Sequence, residues 1–139
     1  MQEFFIPAKF FSQWLNHLKV TFNRKFKYVT LLNITIRYVY KDKVTFLNYA
    51  KDDMYAFVFY YRLPNRLLAD KELQMVNQLL LNKAIELGGT FYLPYRHHYE
   101  DHQLKICYPE ISDFFSLKKM YDPNKLFSNL WYEKFDNNL

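Results

Sequence analysis

The chain has 139 residues, half of them apolar and 21% aromatic, with a formal net charge of +5. One domain with a buried core is the expectation at this length, and 13 Tyr with 14 Phe exclude a disordered chain while leaving a large ring surface to pack somewhere. The basic residues are spread along the chain, which reads as solvated surface, and the single Cys107 excludes an internal disulfide framework or a Cys-x-x-Cys site, as suits a reducing compartment.

Glu3 to Ile6 reads as a short strand ended by Pro7, whose fixed φ and missing N–H suit the first turn of a helix. Phe11, Trp14, Leu15, Leu18 and Phe22 then recur at helical spacing and turn one apolar stripe toward a core, with Lys9, Gln13, Asn16 and Lys19 toward water. The basic cluster Arg24, Lys25 and Lys27 closes this helix. From Tyr28 to Tyr40 the period changes to two. Leu32, Ile34, Ile36, Tyr38 and Tyr40 share one side, and Asn33, Thr35, Arg37 and Val39 the other. Tyr55 to Arg62, rich in aromatic residues and bounded by Pro64-Asn65, is a second long strand. Lys41 to Asp53, between the two, fits neither period.

Asp70 is placed to cap a helix reaching Leu87, with Leu73, Val76, Leu80, Ala84 and Leu87 on one stripe and Gly88-Gly89 stopping it. Thr90 to Leu93 follows as a short strand. The order strand, helix, strand, strand, helix, strand over residues 1–95 predicts an α+β, ferredoxin-like (split βαβ) core, an antiparallel sheet with both helices on one face and the other face open. Residues 96–139 add a helical C-terminal extension to the same single domain. In it Ser112 caps a helix to Met120, and Asp122-Pro123 opens a further short helix through Phe127. Phe114, Phe115, Leu117, Phe127 and Trp131 in this extension need a surface to pack on. The start MQEFFIPAKFF lacks the charged flank and long apolar core of a secretory signal, and no uncharged stretch reaches transmembrane length. A soluble, cytoplasmic chain that keeps off membranes is the expectation.

Four segments in this order resemble the substrate domain of FAD-linked oxidases: QEFFIP, LLNITIRYV, KDDMYAFVFYY and the closing run from GGTFYLPYRHHY through PEISDFFSLKKMYDPNKLFSNLWYEKF. The resemblance is to the vanillyl-alcohol oxidase and p-cresol methylhydroxylase superfamily, and within it to the sugar-lactone and alditol oxidase branch. Chains of that branch end in a helix, an Asp-Pro-x-x-x-Phe turn and an Asn soon after; here these are Phe114 to Met120, Asp122 to Phe127, and Asn129.

A side-chain period of two sets Asn33, Thr35 and Arg37 together on the open face of the sheet. The resemblance implies that Arg37 lies near substrate and flavin, with Asn33 and Thr35 as substrate contacts; Thr35 stands where the branch carries a Glu. A guanidinium there offers permanent charge and several donors to a substrate oxygen or to developing negative charge. The competing reading pairs Arg37 with an acidic neighbour on an exposed strand. At the end of the last strand, Tyr92-Leu93-Pro94-Tyr95-Arg96-His97-His98 is similar to the branch's Pro-His-Trp-x-Lys, with His98 in place of the Lys. In the Tyr-Leu-x-Lys register of the related decaprenyl-phosphoryl-ribose oxidases, Tyr95 takes that place. Tyr95 and His98 thus join Arg37 as the candidate catalytic groups, able to polarise or deprotonate a substrate hydroxyl, against a plain reading of both as packing and surface groups. Asn129 and Tyr132 lie where the resemblance brings the terminal segment back to the flavin. His98 and His102 are four residues apart, but no third ligand is defined and no metal site is expected.

Tyr55-Ala56-Phe57-Val58-Phe59-Tyr60 also fits the aromatic core of a ribonucleoprotein-1 motif, so a basic RNA-binding or protein-interaction module is the alternative. Asp53-Met54 stands where that motif needs Lys/Arg-Gly, and an acid there repels phosphate, which makes nucleic acid the weaker partner. In the superfamily FAD sits mainly in a separate glycine-rich domain, whereas this chain has two glycines, both in a helix stop. The expectation is a substrate or cap domain, inactive alone, of an enzyme that oxidises a small hydroxylated compound by hydride transfer to FAD. The FAD-binding domain is then on another polypeptide, lost in a remnant, or cut away. A face left open by that domain predicts a homodimer or a sticky surface.

Overall fold

In the computed structural model, which describes residues 1–136, the chain runs β1 (Gln2–Pro7), α1 (Phe11–Phe22), β2 (Thr30–Val39), β3 (Met54–Arg62), α2 (Leu67–Glu86) and β4 (Thr90–Phe91). Three helices follow, α3 (Asp101–Cys107), α4 (Ile111–Tyr121) and α5 (Leu130–Phe135). The strands form one antiparallel sheet in the order β2-β3-β1-β4, which is the ferredoxin-like order. The apolar stripes of α1 and α2 close over Phe4 and Ile6 of β1 and Phe57 and Phe59 of β3 in one core. Trp14 is wholly buried there, its ring centroid 6.0 Å from Phe4 and 5.8 Å from Phe57. Glu72 of α2 ties down the approach to β2, its carboxylate accepting the N–H groups of Lys27, Tyr28 and Val29 at 2.8, 2.6 and 2.8 Å.

Alternation in β2 holds except at Leu32. A bulge between Leu31 and Asn33 shifts the register, so Leu31 joins Ile34 on the helix side and Leu32 is 52% exposed. On β3, Tyr55, Phe57 and Phe59 also face the helices, with Phe11 4.6 Å from Tyr55 and Phe22 6.0 Å from Phe59. The rings that a base-stacking platform would need are therefore spent in the core.

The second helix starts earlier than the capping argument predicts. Arg66 is at the N-cap position and Asp70 lies inside the first turn, where its charge suits the helix dipole and its carboxylate pairs with Arg96. At the other end, Gly88 sits at φ 72°, and its N–H and that of Gly89 bond back to the Ile85 and Ala84 carbonyls at 2.9 and 2.7 Å, a Schellman turn. β4 has two residues rather than four. Tyr92 N–H still reaches the Glu3 carbonyl at 3.1 Å, but the chain then turns as Tyr95 N–H bonds to the Tyr92 carbonyl at 3.4 Å.

The extension departs further from expectation. α3 has no strong periodic signal, being only seven residues long. α4 begins at Ile111 with Glu110 at its cap position, so Ser112 is inside it. Asp122 to Phe127 is a turn rather than a helix: the Asp122 carboxylate accepts Leu126 and Phe127 N–H at 2.9 and 3.0 Å, and Lys125 takes φ 52°. The tail packs through Tyr99, whose ring is 4.3 Å from Phe91 and 5.6 Å from Phe135, while Trp131 Nε1 donates to the Tyr99 hydroxyl at 2.7 Å. Phe115 joins this cluster, whereas Phe127 is 80% exposed. Among the described residues no helix is long and apolar enough to cross a membrane.

Candidate functional site

The sheet face away from the helices is not open along its whole width. The segment between β2 and β3 folds back over β1, stacking Tyr49 on Phe5 with centroids 4.3 Å apart and planes 19° from parallel. The Thr90 hydroxyl pins it by donating to the Tyr49 carbonyl at 2.5 Å. Tyr92 closes edge-on against both rings, 6.5 Å from Phe5 and 5.9 Å from Tyr49. Between this wall and β2 lies a cleft of about 390 Å³ whose lining includes Glu3, Phe5, Arg37, Tyr49, Tyr92 and Tyr95.

The cleft is organised by one ion pair. Arg37 Nη2 donates to Glu3 Oε1 at 2.6 Å, joining β2 to β1 across β3. The Glu3 side chain is 4% exposed and that of Arg37 59%, so the acid is fixed in the wall and the guanidinium keeps donors facing water. The hydrogen bond that Arg37 donates to Glu3 raises the Arg37 pKa and holds its charge. Tyr95 lines the same cleft, and burial, then the nearby Glu3 charge, pushes its phenol up, so it is a neutral donor or acceptor at physiological pH.

Of the residues singled out in the sequence, the fold brings Arg37 and Tyr95 into one cleft. Asn33 and Thr35 share the Arg37 face of β2, opposite Tyr60 and Val58, but stand exposed beyond the cleft rim. His98 is elsewhere: it is 8% exposed against α2, with Nδ1 2.8 Å from Asn77 Nδ2 and Nε2 3.7 Å from Asp70. Burial lowers its pKa, offset in part by Asp70. Asn129 caps α5, its Oδ1 accepting Tyr132 N–H at 2.9 Å, and borders a separate apolar cleft of about 460 Å³ with Pro94, His97 and Trp131. Tyr132 is buried, with Lys118 Nζ 5.0 Å from its ring centroid. Among the described residues no group of three His, Cys, Asp or Glu is placed to hold a metal ion.

Three lining residues, Glu3, Tyr49 and Tyr92, have no site role in the sequence reading, although Glu3 lies in the QEFFIP segment and Tyr92 in the 92–98 run. Glu3 had a signal, an acid inside an otherwise apolar strand segment, and it places beside Arg37 the carboxylate that Thr35 lacks. Tyr49 had none, because nothing local reports that residues 41–53 return over β1.

The fold and cleft define a ferredoxin-like α+β domain with a phenol-lined pocket built around a buried carboxylate and a half-exposed guanidinium. The chain belongs to the D-arabinono-1,4-lactone oxidase family, whose model matches residues 1–135. It corresponds to the C-terminal domain of the sugar-lactone branch of FAD-linked oxidases. No curated protein matches the chain.

Proposed function

We propose that this chain is the substrate-side, or cap, domain of an FAD-dependent oxidase of the sugar-lactone type, acting on a hydroxylated substrate such as a lactone or polyol. The observation that carries the reading is the family match over residues 1–135, together with an Arg37 guanidinium held at the cleft by Glu3. When bound, flavin supplies the hydride acceptor. The chain's own residues bind and orient: Arg37 directs N–H donors at a substrate oxygen, and Tyr95 holds or shares a proton at its hydroxyl. The rings of Tyr49 and Tyr92 exclude water from one side of the cleft. His98 sits behind this surface and supports the 94–98 segment through Asn77 and Asp70.

The residues do not fit the pyrophosphate of FAD. A pyrophosphate loop needs glycines at a turn before a helix, and both glycines here are committed to ending α2. A Cβ on Gly89 would lie 2.4 Å from the Phe5 carbonyl oxygen, so that backbone already touches β1. FAD is therefore held mainly by residues outside this chain, and the chain alone is inactive. The test is gel filtration of the purified chain with excess FAD, read at visible wavelengths. Flavin eluting separately is the expected result, and stoichiometric flavin travelling with the chain would overturn the reading.

A further inference from the structure

The cleft lining contains one acid and one base, Glu3 and Arg37, and they are bonded to each other at 2.6 Å. The remaining lining groups are phenols and apolar side chains. From this geometry we infer that Glu3 is a specificity-determining residue that makes the cleft select a neutral hydroxylated ring over the corresponding open-chain carboxylate. The inference rests on the cleft being the substrate site of the proposed oxidase.

The argument is electrostatic. An unpaired arginine is a strong carboxylate receptor, because its planar fork meets both oxygens and the bond is charge-assisted. Here one Nη2 N–H is engaged and the positive charge is already compensated by Glu3. The Glu3 carboxylate, 96% withdrawn from solvent in β1, cannot swing away to release the guanidinium. A second carboxylate entering the cleft would meet a compensated cation and a fixed negative charge beside it, whereas hydroxyl and ring oxygens still find the remaining Arg37 donors. Phenol faces along the wall suit the C–H faces of a sugar ring and add no charge. Ring opening adds one water to a lactone and the resulting acid loses a proton to become the aldonate anion, so this is the discrimination a lactone oxidase needs against the product of spontaneous ring opening.

The experiment measures binding of D-arabinono-1,4-lactone, D-arabinonate and the neutral open-chain polyol D-arabinitol to the full chain by ligand-observed NMR at neutral pH. The polyol separates charge from ring shape. Wild type is expected to bind lactone and polyol at least about tenfold more tightly than the aldonate, and Glu3→Gln to recover about tenfold for the aldonate alone, the worth of one charge-assisted hydrogen bond. Circular dichroism checks that the isosteric variant keeps its fold; should it fail, the three-ligand series on wild type still decides. Aldonate bound as tightly as polyol overturns the inference while leaving the substrate site standing. Failure of all three ligands to bind overturns the substrate site itself, and the inference with it.

Discussion

The Arg37 guanidinium reaches the Glu3 carboxylate diagonally across an intervening strand, where Arg37 pairs with Ala56 and Glu3 with Val58. Ala56 is wholly buried beneath Arg37 and beside Phe5, with no room for a larger side chain. Ala56→Leu is expected to cost about 1–3 kcal/mol by overpacking and to break the pair. Arg37→Gln leaves Glu3 buried without its cation and should cost about 1–2 kcal/mol, kept low because Arg37 is half in water. Glu3→Gln leaves no unpaired buried charge and should be the mildest of the three. Urea denaturation ranks them, and a Glu3→Gln loss larger than that of Arg37→Gln would contradict the account.

Acid should destabilise the fold through histidine. Burial lowers the pKa of His98, His97 and His17 below the ordinary value of 6.5. As pH falls, the unfolded chain takes up these protons before the folded one does, so stability is full above about 6.5 and declines as pH drops from there toward the folded-state values. Melting temperature should therefore fall on going from about pH 7.5 to about pH 5, and His98→Gln should flatten part of that slope. A profile that is level over this window would remove these histidines from the account.

Periodicity carried most of the fold and little of the site. Helical and alternating patterns report which face of an element is buried, and so α1, the stripe on α2 and the side of β2 bearing Arg37 were readable. Leu32 was not, because a bulge is a property of the strand pair and leaves no mark on one strand. The Asp122 segment misled because a carboxylate taking N–H groups four and five residues on looks, in sequence, like a helix cap. The cleft depends on four segments distant in sequence, β1, β2, the 41–53 return and the 92–95 turn, and of its lining residues Tyr49 on the return lay in no recognisable motif. Resemblance placed His98 in the site, yet the irregular chain after β4 carries it against α2, beside Asn77.

The two glycines should differ in cost. Gly88 has open space around a would-be Cβ but sits at φ 72°, so Gly88→Ala pays only backbone strain, about 1 kcal/mol. At Gly89 a Cβ would meet the Phe5 and Ala84 carbonyl oxygens at 2.4 and 2.9 Å, both backbone atoms that cannot step aside. Gly89→Ala should cost more, about 2–3 kcal/mol, and should disturb β1 beneath the cleft. Chemical denaturation gives the order, and amide shifts at Phe5 locate the damage. Equal losses at the two positions would mean that α2 and β1 are not in this close contact.

Asn129 tests whether the terminal segment is held by its own structure or by what it docks against. Its side chain caps a helix of only six residues, and that helix carries Phe135 and Tyr132 into the core. So short a helix has almost no stability of its own, and the cap and the packing must supply it together. Asn129→Ala removes the acceptor for Tyr132 N–H and should lower stability by about 1 kcal/mol, while Asn129→Asp, an equally good cap, should keep it. Hydrogen exchange at the Tyr132 amide reads the cap directly, faster in the Ala variant and close to wild type in the Asp variant. Unchanged exchange in both would show that α5 is held by ring packing alone.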